Sequence, residues 1–563
     1  MYPGFPIRPG GNWAPAEFCV DALEPGRDSL VSPRLPATLP PPARPPLNPR
    51  LRSPFLFKHV LSNWSFYILQ MLVMMVLSPI MMTHLGEDGL GAWLSIIAGT
   101  SLLELLAMGI PMASVRHISE AVAAGDLKRT NTMISTGLGI TLALGGVGLV
   151  VGLGVFFPLF ENELLENDKW AGTPQELLES ARIAFLITTV RVAAAIAMRF
   201  PGSIFHAKQD FQTNNMIQGA GVIFRALAVV ALLYVRPSLE GIAWIFVVET
   251  IGVFLAFRYF VHKRFEGLRV GLANFERGHV KELVGFGLIA STLNLGTMIA
   301  YNMDALVIGR MIGPDEVTVF DFGNKFFMPI AGLMYGIGAV VMPAATHLKQ
   351  QKGMHQLKHS FLKWSKVSLS LMLPISLYLY VLGPRFLAAW LDKPEYVFSA
   401  GAVTRVLVPS FLIALPLRAV ALPILLGTSH PLRATGVFLI LAMVNLGLSI
   451  ALVDQGYGLI GVALGTAIPQ TIFAVYILIV TCRELRMGVG RWLVYVVGKA
   501  AVGSLPVLAF LLWLEHFVDV RSFPALILSG VAMMGVFAVC WGLFVYRNDP
   551  YVNIRAEIAA RRR

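Results

Sequence analysis

Nine charged side chains interrupt otherwise apolar segments of this 563-residue sequence. Five are cationic and four are anionic: Arg191, Arg225, Arg418, Lys325, Arg405, Glu104, Glu249, Asp304 and Asp321. A charge at the centre of a membrane-spanning helix costs ~2.5–3.5 kcal/mol, so it usually faces a cavity or another charge. A guanidinium grips phosphate through paired donors and keeps its charge when buried. The arginines at 191, 225 and 418, in three separate segments, therefore predict a binding site for an anionic group.

The four carboxylates have two interpretations, and the sequence leaves both open. They can form internal salt bridges with the cations and lock helices together. Alternatively, a buried carboxylate such as Glu104 or Asp304 can exchange a proton or a sodium ion during transport. Four polar residues in the same segments could replace water around a polar head group, namely Gln70, Asn214, Asn215 and Gln218. Arg116 and Arg199 fall at segment ends, where we expect them to snorkel to the membrane surface.

Motifs for catalysis or metal binding are missing from the sequence. It has no G-x-x-x-x-G-K-[ST] phosphate loop and no H-E-x-x-H zinc motif. Cys19, Cys482 and Cys540 are too far apart along the chain for a metal motif. His355 and His359 are four residues apart, but neighbouring lysines favour a solvated basic helix face there. We therefore predict a protein that is not an enzyme and that holds no cofactor and no metal.

The segments that carry these charges are long enough to cross a membrane, which takes ~20 mostly apolar residues. Fourteen such blocks predict an all-α polytopic membrane protein with fourteen transmembrane helices. Their approximate bounds are 60–83, 92–114, 133–158, 180–204, 214–235, 239–261, 284–308, 317–343, 362–383, 400–425, 433–453, 458–481, 493–513 and 523–545. The connections are too short to form a separate folded domain.

Composition excludes the soluble classes of protein. Hydrophobic residues make up 56% of the chain and charged residues 14%, whereas soluble domains carry about 25% charged residues. The first 54 residues differ, because they hold 14 of the 34 prolines. Proline removes backbone donors and interrupts helices, so we expect a disordered cytoplasmic tail there.

The distribution of charge predicts the orientation in the membrane, because cytoplasmic loops carry an excess of Lys and Arg. The segment 349–366 has five lysines and no acid, whereas 161–179 has six acids and one lysine. This pattern places 349–366 in the cytoplasm, 161–179 outside and both termini in the cytoplasm. The net charge of +12 is then an insertion signal, and we expect no nucleic-acid partner.

An internal repeat predicts two parallel six-helix bundles. Leu85-Gly86-Glu87-Asp88 matches Ile312-Gly313-Pro314-Asp315, and Gly109-Ile110 matches Gly336-Ile337 at the same offset. Six helices per unit give both halves one orientation, and two further helices follow. The predicted organisation is a proline-rich tail at 1–58, an N-terminal lobe at 59–262, a cytoplasmic linker at 263–283, a C-terminal lobe at 284–482, helices thirteen and fourteen at 483–546 and a basic cytoplasmic tail at 547–563.

Three stretches resemble the polysaccharide flippases of the multidrug/oligosaccharidyl-lipid/polysaccharide exporter (MOP) superfamily. They run from Thr83 to Trp93, from Gly109 to Asp126 and from Tyr301 to Gly313. The resemblance implies two six-helix lobes, alternating access and export of a polyprenyl-pyrophosphate-linked oligosaccharide. It also places Asp304 at a commonly acidic position of the polysaccharide branch.

The expected function is therefore a lipid-linked oligosaccharide flippase of the cytoplasmic membrane. Its partners would be the lipid-linked substrate, membrane lipids and a coupling proton or sodium ion. Two alternatives of the same fold remain, a cation-coupled drug or metabolite antiporter and a lipid II flippase. The first predicted helix contains no acid, although the drug-exporter branch typically keeps coupling acids in its first or seventh helix.

Overall fold

The computed structural model describes residues 53–107, 109–351, 353–428, 431–518, 521–547 and 549–551. Within these ranges the chain is helical and contains no strand. Most of the predicted tails, 1–52 and 552–563, lie outside the described residues.

Eight helices form the N-terminal half, which we define as residues 53–264. They are α1 (Ser53–Ser101), α2 (Gly109–Ala123), α3 (Leu127–Val151), α4 (Phe157–Phe160), α5 (Gln175–Met198), α6 (Gly202–Ala207), α7 (Phe211–Val235) and α8 (Leu239–Arg264).

Eight more form the C-terminal half, residues 280–484, and three follow it. They are α9 (Val280–Met311), α10 (Pro314–Asn324), α11 (Phe327–Gln351), α12 (Gly353–Val381), α13 (Gly383–Leu391), α14 (Ala400–Thr428), α15 (Pro431–Asp454), α16 (Gly458–Glu484), α17 (Val489–Trp492), α18 (Lys499–Phe517) and α19 (Phe523–Cys540).

The described part of the chain contains eleven helical segments that are long and apolar enough to cross a membrane. The first runs through α1 and past a kink at Gly86, which adopts φ 73° and ψ 179°. Only a residue without a β-carbon adopts this conformation at little cost. These segments make the chain a multi-pass membrane protein.

Several helices begin at capping side chains that satisfy free backbone N–H groups. Asp126 accepts from the N–H of Arg129 at 2.8 Å, where α3 begins. Asp210 accepts from the N–H of Thr213 at 3.2 Å and starts α7 in the same way. These short polar turns separate the apolar helices, so they fix where each segment reverses direction.

Several helix boundaries differ from the sequence prediction. The predicted helices at 92–114, 180–204 and 317–343 are each divided, because α2, α6 and α11 begin inside them. The segment 84–91 reads as a loop, yet α1 continues through it because only Gly86 leaves the helical conformation. The ninth apolar block is predicted to begin at residue 362, but α12 begins at Gly353. The first turns of α12 are too polar to register as apolar, although their Leu357 and Phe361 are buried.

The largest apolar core lies in the C-terminal half, where α14 packs against α11, α12 and α16. A second core joins the two halves and brings α1, α5 and α8 together with α10 and α13. Next to α14, the pair α18 and α19 packs on α12 and α13. The helices that carry the candidate charges are therefore held by apolar contacts on several sides.

Several polar contacts also join the halves, and we call four of them the cross-half seam. Trp170 Nε1 donates to the carbonyl of Gly309 at 2.7 Å, and Trp390 Nε1 donates to that of Met75 at 2.9 Å. Thr318 Oγ1 donates to the carbonyl of Glu87 at 2.8 Å. The Glu87 side chain also accepts from Lys393 Nζ at 3.2 Å. The seam links α1 and the segment after α4 to α9, α10 and α13.

Candidate functional site

A polar cavity of about 500 Å³ lies in the N-terminal half, among α1, α2, α5, α6, α7 and α8. Arg199, Arg225 and Glu249 supply its charge, and Gln70, Asn214 and Gln218 supply amide groups. His206 adds a further polar ring, and most of the other lining residues are apolar or small, for example Phe66 and Gly202. This combination provides charged and hydrogen-bonding groups inside an apolar bundle.

Arg225 and Glu249 form an ion pair across α7 and α8 in the cavity wall. Their closest atoms, Nη1 and Oε2, are 3.1 Å apart. Gly221 makes this approach possible, because a β-carbon there would lie 2.7 Å from Val253 Cγ2 and 3.3 Å from Glu249 Oε1. For these two residues the salt-bridge interpretation therefore agrees with the geometry, and the pair still faces the cavity.

Arg191 is the cation without a described partner. It lies on α5, is 8% exposed, and its Nε makes no hydrogen bond within the described part of the chain. Its Cζ lies 5.6 Å from the centre of the Phe246 ring, and Arg225 Cζ lies 4.8 Å from the same ring. Two of the three predicted arginines therefore meet at one aromatic side chain, with a buried positive charge that no acid neutralises directly.

Arg199, expected from the sequence to be a surface anchor, follows the last residue of α5, and its side chain is 57% exposed. It lies in the cavity wall, and its Nη1 is 3.0 Å from Glu104 Oε1. Glu104 belongs to the short helical turn between α1 and α2. The signal available in the sequence was the short connection between α5 and α6, which keeps Arg199 next to the bundle interior.

The third predicted arginine, Arg418, belongs to a different network in the C-terminal half. It is 5% exposed on α14, donates to the Tyr301 hydroxyl and lies 4.9 Å from the centre of the Phe438 ring. Tyr301 in turn donates to Gln470 Oε1 at 3.2 Å. The structure does not bring Arg418 into the cavity that contains Arg225.

Asp304 is buried beside this network, where α9, α15 and α16 meet. It is 3% exposed and accepts a hydrogen bond from Thr466 Oγ1 at 3.0 Å. Asn445 Nδ2 donates to Thr466 Oγ1 and to the carbonyl of Ala300, each at 3.2 Å. Within the described ranges no basic side chain pairs with Asp304, so this carboxyl is surrounded by neutral polar groups.

The remaining predicted residues lie away from both networks. Lys325 pairs with Asp321 one turn earlier, and this contact crosses the end of α10. Arg405 is exposed and lies 3.4 Å from Glu515. Across the described ranges, no group of three or more His, Cys, Asp or Glu residues has the arrangement needed to hold a metal ion.

A buried ion pair that the sequence did not indicate joins α12 to the C-terminal segment. Lys366 is wholly buried; it pairs with Asp549 and donates to the carbonyl of Val545 at 3.1 Å. Tyr495 donates to Asp549 Oδ1 at 2.7 Å. Burial opposes ionisation of Asp549, but the hydrogen bonds from Lys366 and Tyr495 outweigh it and lower the pKa of this carboxyl. The sequence prediction begins the ninth helix at residue 362 and therefore places Lys366 near a helix end. In the structure α12 begins at Gly353, and Lys366 lies inside the helix.

Two family models match the chain. The model described as "Polysaccharide biosynthesis protein" covers residues 56–349, which is more than half of the chain. The model described as MatE covers residues 291–452. A comparison with curated proteins finds no match.

Solved structures of membrane transporters share the fold. An inward-facing multidrug resistance MATE family transporter of the MOP superfamily is 16% identical, with a TM-score of 0.61 over 76% of this chain and 98% of that chain. An outward-facing transporter of the same family is 16% identical, with a TM-score of 0.58 over 77% of this chain and 96% of that chain. A MOP superfamily transporter from Pyrococcus furiosus is 15% identical, with a TM-score of 0.56 over 77% of this chain and 96% of that chain. The chain therefore has the fold of these transporters, and it belongs to the polysaccharide biosynthesis protein family.

Proposed function

We propose that the protein is a flippase that moves a polyprenyl-pyrophosphate-linked oligosaccharide across the cytoplasmic membrane by alternating access. The observation that carries this proposal is the cavity of about 500 Å³ that contains Arg199, Arg225 and three amide side chains. Its volume lies within the ~300–1,000 Å³ range typical of ligand pockets. Guanidinium groups match pyrophosphate, and amides match sugar hydroxyls that would otherwise lose several kcal/mol of hydration.

Arg191 strengthens the electrostatic part of the proposal. It does not line the cavity, but it lies beside Phe246 and Arg225 and carries no ion pair in the described part of the chain, so its charge would attract an anion that enters the cavity. A buried cation without a partner is unfavourable unless a ligand or function compensates for it. An anionic head group that enters the cavity would supply the missing charge.

We further propose fourteen membrane crossings, arranged as two six-helix lobes at 59–262 and 284–482 plus two final helices. Both termini and the linker at 263–283 would be cytoplasmic. The repeat is supported at matching positions, since Gly86 interrupts α1 and Gly313 separates α9 from α10. The charge distribution supports the orientation.

A cation-coupled antiporter of the same fold is the second candidate. Asp304 favours it, because a buried carboxyl among neutral donors can take up a proton or sodium ion. The MatE match over residues 291–452 includes this position. A lipid II flippase has the same requirements for a basic cavity and remains a third possibility for the substrate.

Flipping by the purified protein in vesicles tests the proposal. An anionic head group gains ~2.3 kcal/mol per charge and 100 mV when it moves to the positive side. We expect flipping of a fluorescent lipid-linked oligosaccharide to accelerate when potassium and valinomycin make the donor side negative. If the rate ignores the potential and follows a pH or sodium gradient, the antiporter mechanism is the correct one. If only drugs move, the flippase assignment is wrong.

A further inference from the structure

A second cavity, of about 710 Å³, runs along the contact between α1 and α7, and we call it the α1–α7 groove. Residues spaced three or four apart on each helix line it, so it follows one face of each, from Ser62 to Leu69 on α1 and from Gln212 to Ile223 on α7. Met216 is 54% exposed and Ile223 is 44% exposed. In a membrane-spanning chain, these exposed apolar side chains face lipid.

The groove has a polar end and an apolar end. At the polar end Asn215 Nδ2 donates to Asn63 Oδ1 at 2.7 Å and to Ser62 Oγ at 3.1 Å. About two helical turns further along both helices, the lining becomes apolar at Leu69 and Ile223. A lipid has the same polarity along its length, with a polar head and an apolar tail.

The groove adjoins the polar cavity described above. Phe66 lines both spaces. The neighbouring residues Asn214 and Asn215 face the cavity and the groove respectively, and Asn214 Nδ2 donates to Asn215 Oδ1 at 3.3 Å. One ring and one pair of amides therefore separate a polar cavity from a groove on the lipid-facing surface.

Gly219 lies where α1 and α7 approach each other closely, beside Phe66 and Leu69. A β-carbon at this position would lie 3.3 Å from Leu69 Cδ2 and 3.9 Å from Phe66 Cδ2. The missing side chain lets α1 approach α7 while the groove stays open around Ala220, which is exposed. Between groove and cavity stand the half-buried Phe66 ring and the Asn214–Asn215 amide pair.

We propose that the α1–α7 groove is the lateral docking site for the isoprenoid tail of the transported lipid, with Phe66 as the residue between the tail and the head group. This inference rests on the proposed function, because it assigns the tail of the same substrate. The tail remains in contact with the bilayer while the pyrophosphate and sugars occupy the polar cavity. The energetic reason is that the methylene groups of the tail would lose their favourable contact with hydrocarbon if they entered a polar cavity.

Site-specific photo-crosslinking tests the position of the tail. We would place p-benzoylphenylalanine at Met216 in the groove, or at Met443 on α15, whose side chain is also 54% exposed. Both proteins would be reconstituted with a polyprenyl-pyrophosphate-linked oligosaccharide in phospholipid vesicles. We expect the isoprenoid lipid to cross-link at Met216 and bulk phospholipid alone at Met443. Equal capture of the isoprenoid lipid at both positions would overturn the proposal.

A blocking substitution tests the function of the groove. Ala220→Trp fills it, whereas Ala231→Trp changes an exposed alanine three turns further along the same helix. We expect A220W to slow flipping of the long-tailed substrate about tenfold, which corresponds to ~1.4 kcal/mol, while A231W flips normally. Binding of a water-soluble ten-carbon analogue to the cavity should be unchanged in both variants, which also shows that they are folded.

The outcomes separate this inference from the proposed function. If A220W and A231W flip equally well, the groove is not the tail site, although the protein remains a flippase. If the unmodified protein neither binds the short analogue nor flips the long lipid, the proposed function itself is wrong, and the assignment of the groove falls with it.

Discussion

At the scale of single residues, the most informative feature of the site is the contrast between Arg225, which lines the cavity, and Arg191, which lies behind it. Both lie beside Phe246, but only Arg225 has an acidic partner, Glu249. The partnered arginine contributes to the structure and to the charge of the cavity at once. The other contributes charge and contacts Phe246 but no acid in the described part of the chain, so the two roles can be separated by mutation.

Replacing each arginine by glutamine should give opposite stability results. Arg225→Gln leaves Glu249 without its cation and should lower the free energy of unfolding by about 1–3 kcal/mol. Adding Glu249→Gln should restore stability, because the unpaired charge is gone. Arg191→Gln should leave stability unchanged or raise it, yet reduce flipping at least as much as R225Q/E249Q does. Thermal unfolding in detergent and flipping in vesicles measure the two effects.

Two results would contradict this interpretation. Loss of stability in R191Q would mean that Arg191 has a structural partner. Normal flipping by R225Q/E249Q and by R191Q would show that neither charge binds the substrate.

At the scale of helices, the Lys366–Asp549 pair holds the C-terminal segment to α12. Lys366 also lies 4.7 Å from the ring centre of Tyr495 and 5.6 Å from that of Tyr546. The ammonium is therefore enclosed by one carboxylate, one carbonyl and two aromatic rings. Because both charges are buried, losing one is expected to cost more than losing a surface pair.

Lys366→Met should destabilise the protein by ~3–5 kcal/mol, since Asp549 would stay buried without its cation. Adding Asp549→Asn should recover most of this loss, because asparagine still accepts from Tyr495. Lys358→Met changes a lysine on the same helix that bonds only to the carbonyl of Arg486, and it should cost less than ~0.5 kcal/mol. Equal denaturation midpoints for K366M and K358M would show that the buried pair contributes nothing.

The pair also predicts the pH dependence. The pKa of Asp549 is lower in the folded protein than its usual value, which is ~3.9 when unperturbed. Its contribution to stability is therefore complete at neutral pH and is lost as the pH falls below that value through the folded pKa. K366M should unfold with less dependence on pH in this acidic range.

At the scale of the whole molecule, orientation in the membrane decides which leaflet the cavity and the groove serve. The charge distribution predicts that 161–179 is outside and 349–366 is cytoplasmic. Gly172 and His355 are exposed positions in these two segments. The arrangement can be tested directly, since the described cysteines Cys482 and Cys540 are buried.

In a background without Cys19, Cys482 and Cys540, single cysteines at 172 and 355 report the two sides. An impermeant maleimide added to intact cells should label the cysteine at 172 and leave that at 355 unlabelled until the membrane is permeabilised. The reverse labelling pattern would show that the protein has the opposite orientation in the membrane. The α1–α7 groove would then open to the other leaflet.

The sequence allowed the helices to be predicted because long apolar runs leave few alternatives. The prediction of helix boundaries failed where a helix extends beyond its apolar run. The first turns of α12 are polar, and α1 continues through the polar kink at Gly86. For the site, the charges of Arg225 and Glu249 stood out because they interrupt apolar runs. Their pairing could not be read, because it depends on the rotation of α7 and α8 about their axes. Lys366 was missed because its partner is 183 positions away.

The cross-half seam has a consequence for how this sequence can change over generations. In three of its contacts a side chain donates to a main-chain carbonyl, of Gly309, Met75 or Glu87. Substitution cannot remove a carbonyl, so most replacements on the acceptor side leave the hydrogen bond intact, whereas Trp170 and Trp390 have no ready substitute as indole donors. Substitutions should therefore be tolerated unequally at the two sides of the seam. We expect few replacements to be accepted at the donor positions. Many should be accepted at the acceptor positions wherever the side chain has no other contact.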